Sequence, residues 1–380
     1  MPDAKMHPVH DASDAPPLPG MALCLSGGGY RAMLFHVGCL WRLNQLGMLA
    51  RLDRISSVSG GSITSGVLGM NWRELGFAPG AESGRFPDLL VAPIRQMTAT
   101  TIDEGAIFGG IFLPGTVSEH VADKYDKLLF HGKTLQDLPD EPRFVINATN
   151  VQSGVLMRFS KPYMRDYRVG QILTPRLPLA LAVAASSAFP PVLSPCEINV
   201  AKYGLRFEPA KDGEDLNVPP YTTDVILTDG GVYDNLGLET AWKEYDTILI
   251  SDGGGHLAPE PDPHHDWARH AYRVLNLIDN QVGALRVRQV ISLYQQNERK
   301  GAYWGIRQNV ETYFQPYPLP CPFDRTTALA QTPTRLAKMD DTLQERIINW
   351  GYAICDAALR CYFDKTLPAP AAFPYPAAGV

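Results

Sequence analysis

Three apolar runs in this chain end in residues that could do chemistry. The first, Ala22-Leu23-Cys24-Leu25-Ser26, empties into Gly27-Gly28-Gly29, and helical spacing resumes over residues 32–49. Glycines at a strand-to-helix turn leave backbone N–H groups bare, because no Cβ blocks their approach. The helix dipole adds partial positive charge at the same place. Such a turn suits a phosphate, or the oxyanion that develops in acyl transfer. A phosphate-binding P-loop would close with Gly-Lys-Ser/Thr, whereas Tyr30-Arg31 follow here. The dinucleotide pattern G-x-G-x-x-G also fits poorly, since the three glycines are contiguous.

The second run, residues 52–58, leads into Ser59-Gly60-Gly61-Ser62. Ser59 sits where a nucleophile elbow places its serine, between Val58 and Gly60-Gly61. Ser57 stands where the G-x-S-x-G pattern has glycine, and Ser62 is the rival nucleophile. The third run, Val225-Ile226-Leu227-Thr228, ends in Asp229-Gly230-Gly231, which presents a carboxylate at a tight turn. A near copy, Asp252-Gly253-Gly254-Gly255, follows. Taken alone, either Asp-Gly-Gly is compatible with ordinary turn chemistry.

In order and rough spacing, Gly27-Gly28-Gly29-Tyr30-Arg31, Ser57-Val58-Ser59-Gly60-Gly61 and Asp229-Gly230-Gly231 resemble the three blocks of patatin-like phospholipases. Ala185-Ser186-Ser187-Ala188-Phe189-Pro190-Pro191 is similar to a fourth block of that family. The resemblance runs from about Leu23 to Asn235. It implies a three-layer α/β fold with a central, mostly parallel sheet between helices, plus a C-terminal helical extension. It also implies a Ser–Asp dyad acting on an acyl lipid through an acyl-enzyme. Ser59 would be the nucleophile and Asp229 its base. Gly27, Gly28 and Gly29 would donate to the oxyanion, with Arg31 flanking them and Gly61, Gly230 and Gly231 supporting the turns. No metal and no cofactor is called for. The order Ser59, Asp229, His256 leaves a triad open. A non-lipid esterase, an acyltransferase, or a regulatory membrane-binding protein retaining the fold are the alternatives. Family members often await an activating partner or small ligand, and nothing in this sequence names one.

The elements that must bring these residues together fit in 380 residues, of which 45% are hydrophobic. Residues 1–20 read as a disordered tail, 21–260 as the catalytic α/β domain, 261–366 as a helical extension packed on it, and 367–380 as a disordered Pro/Ala-rich tail. Helical spacing of Trp267, Ala271, Val274, Leu275, Ile278 and Val282 predicts one or two long helices over residues 264–299, and another is expected over 341–362. A net charge of −6 gives no general basic surface, which argues against a nucleic-acid partner. The six cysteines form no close pairs of metal-ligand type, a usage that suits a reducing compartment. No secretory signal or membrane span is evident, so a cytoplasmic protein that visits the membrane surface is expected. Phe108 and Phe112, among interspersed glycines, read as an interfacial loop. Phe189 and Pro190 read as acyl-channel wall. Oligomeric state is not legible.

Overall fold

The computed structural model describes residues 16–102, 117–209, 215–255, 257–314 and 317–380. Its sheet has ten strands among those residues: β1 (Leu18–Leu25), β2 (Arg54–Val58), β3 (Arg143–Asn150), β4 (Val155–Phe159), β5 (Tyr163–Asp166), β6 (Gly170–Leu173), β7 (Cys196–Asn199), β8 (Asp224–Asp229), β9 (Tyr245–Asp252) and β10 (Lys300–Gly305). The central five run parallel in the order β10-β9-β1-β2-β3. Beyond β3 the sheet continues antiparallel through β4, β5 and β6, with β7 and β8 as a side pair.

Strands buried on both faces read as continuous apolar runs, and β1 shows where each face goes. Met21, Leu23 and Leu25 point into one core cluster, while Ala22 and Cys24 point into the other. The first cluster is covered by α1 (Gly29–Gln45), α2 (Gly60–Met70), α3 (Leu179–Ser186) and, further along the chain, α5 (Asp341–Ala358). The second is covered by residues 236–241 and by Val290 of α4 (Trp267–Gln295). Helices therefore sandwich the sheet, as the sequence predicts.

The helix pair α1 and α5 packs unusually close. A Cβ on Gly38 would overlap the Ile348 carbonyl, and one on Gly351 would overlap the Phe35 carbonyl. The Cys39 thiol donates to the Gly351 carbonyl at 3.3 Å in the same contact.

The helix α4 is held differently. It is one helix of 29 residues, and Val290 is its only buried residue. Tyr294 Oη donates to the Ile248 carbonyl at 2.7 Å, and Arg286 pairs with Glu239 at 3.1 Å and Asp234 at 3.6 Å. Its outward side carries Trp267, Val274, Ile278, Val282 and Leu285, all exposed, with Trp267 at 86%. No helix of the described residues is long and apolar enough to cross a membrane.

Three boundary expectations change. Residues 18–20 belong to β1 rather than to a tail, because Leu18 N donates to Glu244 O at 2.7 Å. The segment after residue 260 is not only helical: β10 pairs along β9 inside the sheet. The Pro/Ala-rich end is folded, not disordered. Asn349 Nδ2 donates to the carbonyls of Tyr375 and Gly379 at 2.8 and 2.7 Å, and Phe373 and Val380 are buried. Sparse aromatic anchors such as Tyr375, whose ring lies 5.8 Å from Trp41, fix a segment whose average composition suggests otherwise. Phe108 and Phe112 lie outside the described residues, as does His256.

Candidate active site

β3 explains how two distant runs meet. Along one of its edges β2 ends with Val58 opposite Asn147, and β8 arrives from the other direction and ends with Asp229 opposite Ala148. The C-terminal ends of β2 and β8 thus face each other end to end at neighbouring positions. Ser59 is the next residue after β2, and Asp229 is the last of β8.

Ser59 has φ 51° and ψ −121°, an uncommon backbone for a residue with a side chain. Strain of this sort costs on the order of 1–3 kcal/mol and persists only when the surroundings enforce it. Here Ser59 N donates to Ser186 Oγ at 2.9 Å, and Ser186 Oγ donates to the Asn147 carbonyl at 2.6 Å. Gly61 N donates to the Ser26 carbonyl at 3.2 Å, tying the elbow to the end of β1. Ser57, where the motif expects glycine, fits because its hydroxyl accepts from Ser62 Oγ at 3.1 Å. Ser62 is fully buried and also meets Ser186 at 2.9 Å, which removes it as a rival nucleophile.

Asp229 is 2% exposed. Gly231 N donates to its Oδ1 at 2.7 Å, while Oδ2 is buried and makes no hydrogen bond among the described residues. The Ser59 hydroxyl is near enough to favour the carboxylate, yet burial outweighs it and pushes the Asp229 pKa up to about 7. Residues 186–188 brace this turn: Asp229 N donates to Ala188 O at 3.0 Å, and Gly230 N to Ser186 O at 3.2 Å.

The three glycines do not behave alike. Gly27 N donates to the Asn235 carbonyl at 3.0 Å and so is already engaged, contrary to the expectation of three free donors. Gly28 and Gly29 line the cavity, and among the described residues their amides donate to no partner. Gly28 has φ 139°, a conformation side chains rarely adopt. Arg31 also departs from expectation. It is 2% exposed and absent from the cavity wall; its Nε donates to Gly253 O at 3.2 Å, Nη1 to Thr332 O and Nη2 to Thr334 Oγ1 at 2.8 Å. Arg31 is a strap between the glycine turn and residues 332–334, its pKa lowered to about 10 by burial.

The cavity itself has a volume of about 490 Å³. Ser59, Asp229, Gly28 and Gly29 form one part of it; Phe189, Pro190, Pro191 and Leu193 form an apolar wall. Phe189 and Pro190 thus stand where the channel was expected. Asp252 and Asp279 join the same cavity. Asp252 accepts from Gly254 N at 2.8 Å and Tyr303 Oη at 2.7 Å, and Arg307 lies 3.4 Å away. Burial and the Asp252 carboxylate push the Asp279 pKa up to about 6. Among the described residues no group of three His, Cys, Asp or Glu side chains is arranged to hold a metal ion.

Residues 23–242, more than half of the chain, match the family model described as patatin-like phospholipase. The chain belongs to the patatin-like phospholipase family. No curated protein matches it in sequence. Among solved structures, human GIVD cytosolic phospholipase A2 is similar at 15% identity over 62% of this chain and 46% of that one, with a TM-score of 0.42. VipD from Legionella pneumophila is similar at 15% identity over 90% of this chain and 66% of that one, with a TM-score of 0.35. The chain spans less than two thirds of the length of either.

This patatin-like chain holds contacts at the candidate site that its sequence does not announce. In the sequence Ser186 stands out only as part of a motif block, and its grip on the Ser59 amide has no local signature. Asn235 carried a weak signal in its closeness to Asp229. The gathering of Asp252 and Asp279 at the cavity needs the fold, since α4 lies far along the chain.

Proposed function

We propose that the protein hydrolyses an ester bond of a phospholipid or related acyl lipid, with Ser59 as nucleophile and Asp229 as base. The observation that carries this reading is an elbow serine beside a buried carboxylate whose Oδ2 has no hydrogen-bond partner among the described residues, both facing one apolar-walled cavity. A serine hydroxyl is a weak nucleophile until a neighbour takes its proton. Asp229 Oδ2 accepts that proton as Ser59 Oγ bonds to the ester carbonyl carbon. The carbonyl oxygen becomes an oxyanion, and the Gly28 and Gly29 amides donate to it, each donor contributing about 3 kcal/mol by precedent. Collapse expels the alcohol, which leaves with the proton from Asp229. Water then gives its proton to Asp229 as its oxygen bonds to the acyl carbon; collapse breaks the bond from that carbon to Ser59 Oγ, Asp229 returns the proton to Oγ, and the fatty acid leaves. A base with a pKa near 7 is better matched to neutral pH than an ordinary aspartate.

A fluorophosphonate with a long acyl chain tests the reading. Covalent labelling that disappears in Ser59→Ala, together with fatty-acid release from vesicles by the unmodified protein, is expected. Labelling that persists in Ser59→Ala, or folded protein that neither labels nor hydrolyses, overturns it.

A further inference from the structure

The polarity of α4 is inverted. Its outward side is apolar, whereas Tyr272, Asn276, Asp279 and Asn280, at spacing i, i+4, i+7 and i+8, line the cavity that holds Ser59 and Asp229. Among the described residues none of these four side chains makes a hydrogen bond or ion pair. Asp279 is the odd member. It faces Asp252 and lies close enough to Asp229 to disfavour its ionised form. Asp252 has Arg307 and the Tyr303 hydroxyl as partners. Asp279 meets no cation among the described residues, so Asp229, Asp252 and Asp279 share one cavity whose wall also carries Arg307, which meets Asp252 through Nη2, and Arg335.

A carboxylate in this position, flanked by amides and facing the reacting centre, suits a ligand that brings its own positive charge. Building on the hydrolase reading above, we propose that the row is a headgroup subsite that selects phospholipids with an ammonium-bearing, zwitterionic headgroup. Asp279 takes the ammonium, while Asn276 and Asn280 offer amide hydrogen bonds beside it. Arg307, on the wall of the same cavity, provides the positive charge for the phosphate. Anionic headgroups that carry only hydroxyls bring no charge to offset Asp279. With a pKa near 6, Asp279 is ionised above that pH and discharged below it. The headgroup preference therefore fades as pH falls through about 6.

The test uses the full chain and mixed micelles of a neutral detergent with phosphatidylcholine or phosphatidylglycerol of identical acyl chains. The unmodified protein is expected to prefer phosphatidylcholine in kcat/KM by about tenfold, the discrimination of one partly screened ion pair, since the quaternary ammonium brings charge but no N–H to donate. Asp279→Asn brings that ratio near one, Asp279→Glu restores it, and acidification below pH 6 erases it in the unmodified protein. Equal rates on the two lipids, or a ratio unchanged in Asp279→Asn, overturn the subsite. If neither lipid is cleaved, the hydrolase reading fails, and calorimetry on the Ser59→Ala protein decides the subsite by itself. Tighter binding of glycerophosphocholine than glycerophosphoglycerol, lost in Ser59→Ala/Asp279→Asn, supports it. Equal or undetectable binding of both overturns it.

Discussion

Around Ser59 the chain is tied inward at every step. Its amide goes to Ser186, the Gly61 amide goes to Ser26, and the supporting helices α1 and α5 touch backbone to backbone at Gly38 and Gly351. Across the cavity α4 is tied to the body of the sheet near its C-terminal end, by Arg286, Val290 and Tyr294, whereas its first four turns are tied to the preceding loop, through Arg273 to Ala258 and Glu260, and present apolar residues outward. The proposed reacting groups stand on the over-constrained side, and the wall proposed to meet the rest of a substrate stands on the lightly held side. Enforcing a strained serine demands the first arrangement. Admitting a bulky ligand tolerates the second, because few contacts must break for the wall to adjust.

Substitutions on the two sides should therefore differ in kind. The largest effect is expected at the proposed dyad: Ser59→Ala and Asp229→Asn should each lower ester hydrolysis on the order of 10⁴-fold or more while the far-UV spectrum is unchanged. Because Asp229 must be ionised to act as base, the rate of the unmodified protein should rise with pH through about 7. Stability should run the opposite way. The folded pKa of Asp229 lies above its unfolded value near ~4, so the folded state holds the extra proton and loses stability as pH rises from about 4 to 7. Asp229→Asn should recover on the order of 4 kcal/mol at pH 8 by denaturant titration. An inactive but less stable Asp229→Asn protein would contradict this burial argument.

Next in size is the helix crossing. Gly38→Val should cost about 3 kcal/mol in the same titration, since the facing Ile348 carbonyl cannot retreat. A smaller shift would show that the rigid side has slack. Ser186→Ala should lower kcat about tenfold with little change in KM, because it loosens the elbow without touching the cavity's far wall. An effect on KM alone would place Ser186 in substrate binding instead. Smallest is Ile278→Gln on the outward side of α4, expected to change stability by less than about 0.5 kcal/mol. A large loss there would mean that α4 is held more firmly than its exposure implies.

What could be read from the sequence follows the same division. The β1 turn, the elbow after β2 and the Asp-Gly-Gly end of β8 are local patterns, in which a few adjacent residues dictate backbone shape. Their meeting on β3 was legible only through the family resemblance. The destination of Arg31 was not legible, because the side chain is typed by its charge while its partners, Thr332 and Thr334, lie some three hundred positions away. The engagement of Gly27 by Asn235 is hidden for the same reason, as is the presence of Asp252 and Asp279 in the cavity. The C-terminal segment misled the reading because composition averages over residues, whereas Phe373 and Tyr375 act singly.

The Tyr30 amide donates to the Arg335 carbonyl at 3.0 Å, so the glycine turn is closed from a point far downstream of the family-matched region. Order of synthesis then differs from order of completion. On an emerging chain Ser59 and Asp229 leave the ribosome roughly a hundred residues before the last piece that closes the glycine turn. If the proposed site is right, competence should arrive late, in one step, and a fragment stopped after the matched region should carry both proposed reacting groups yet lack a closed glycine turn.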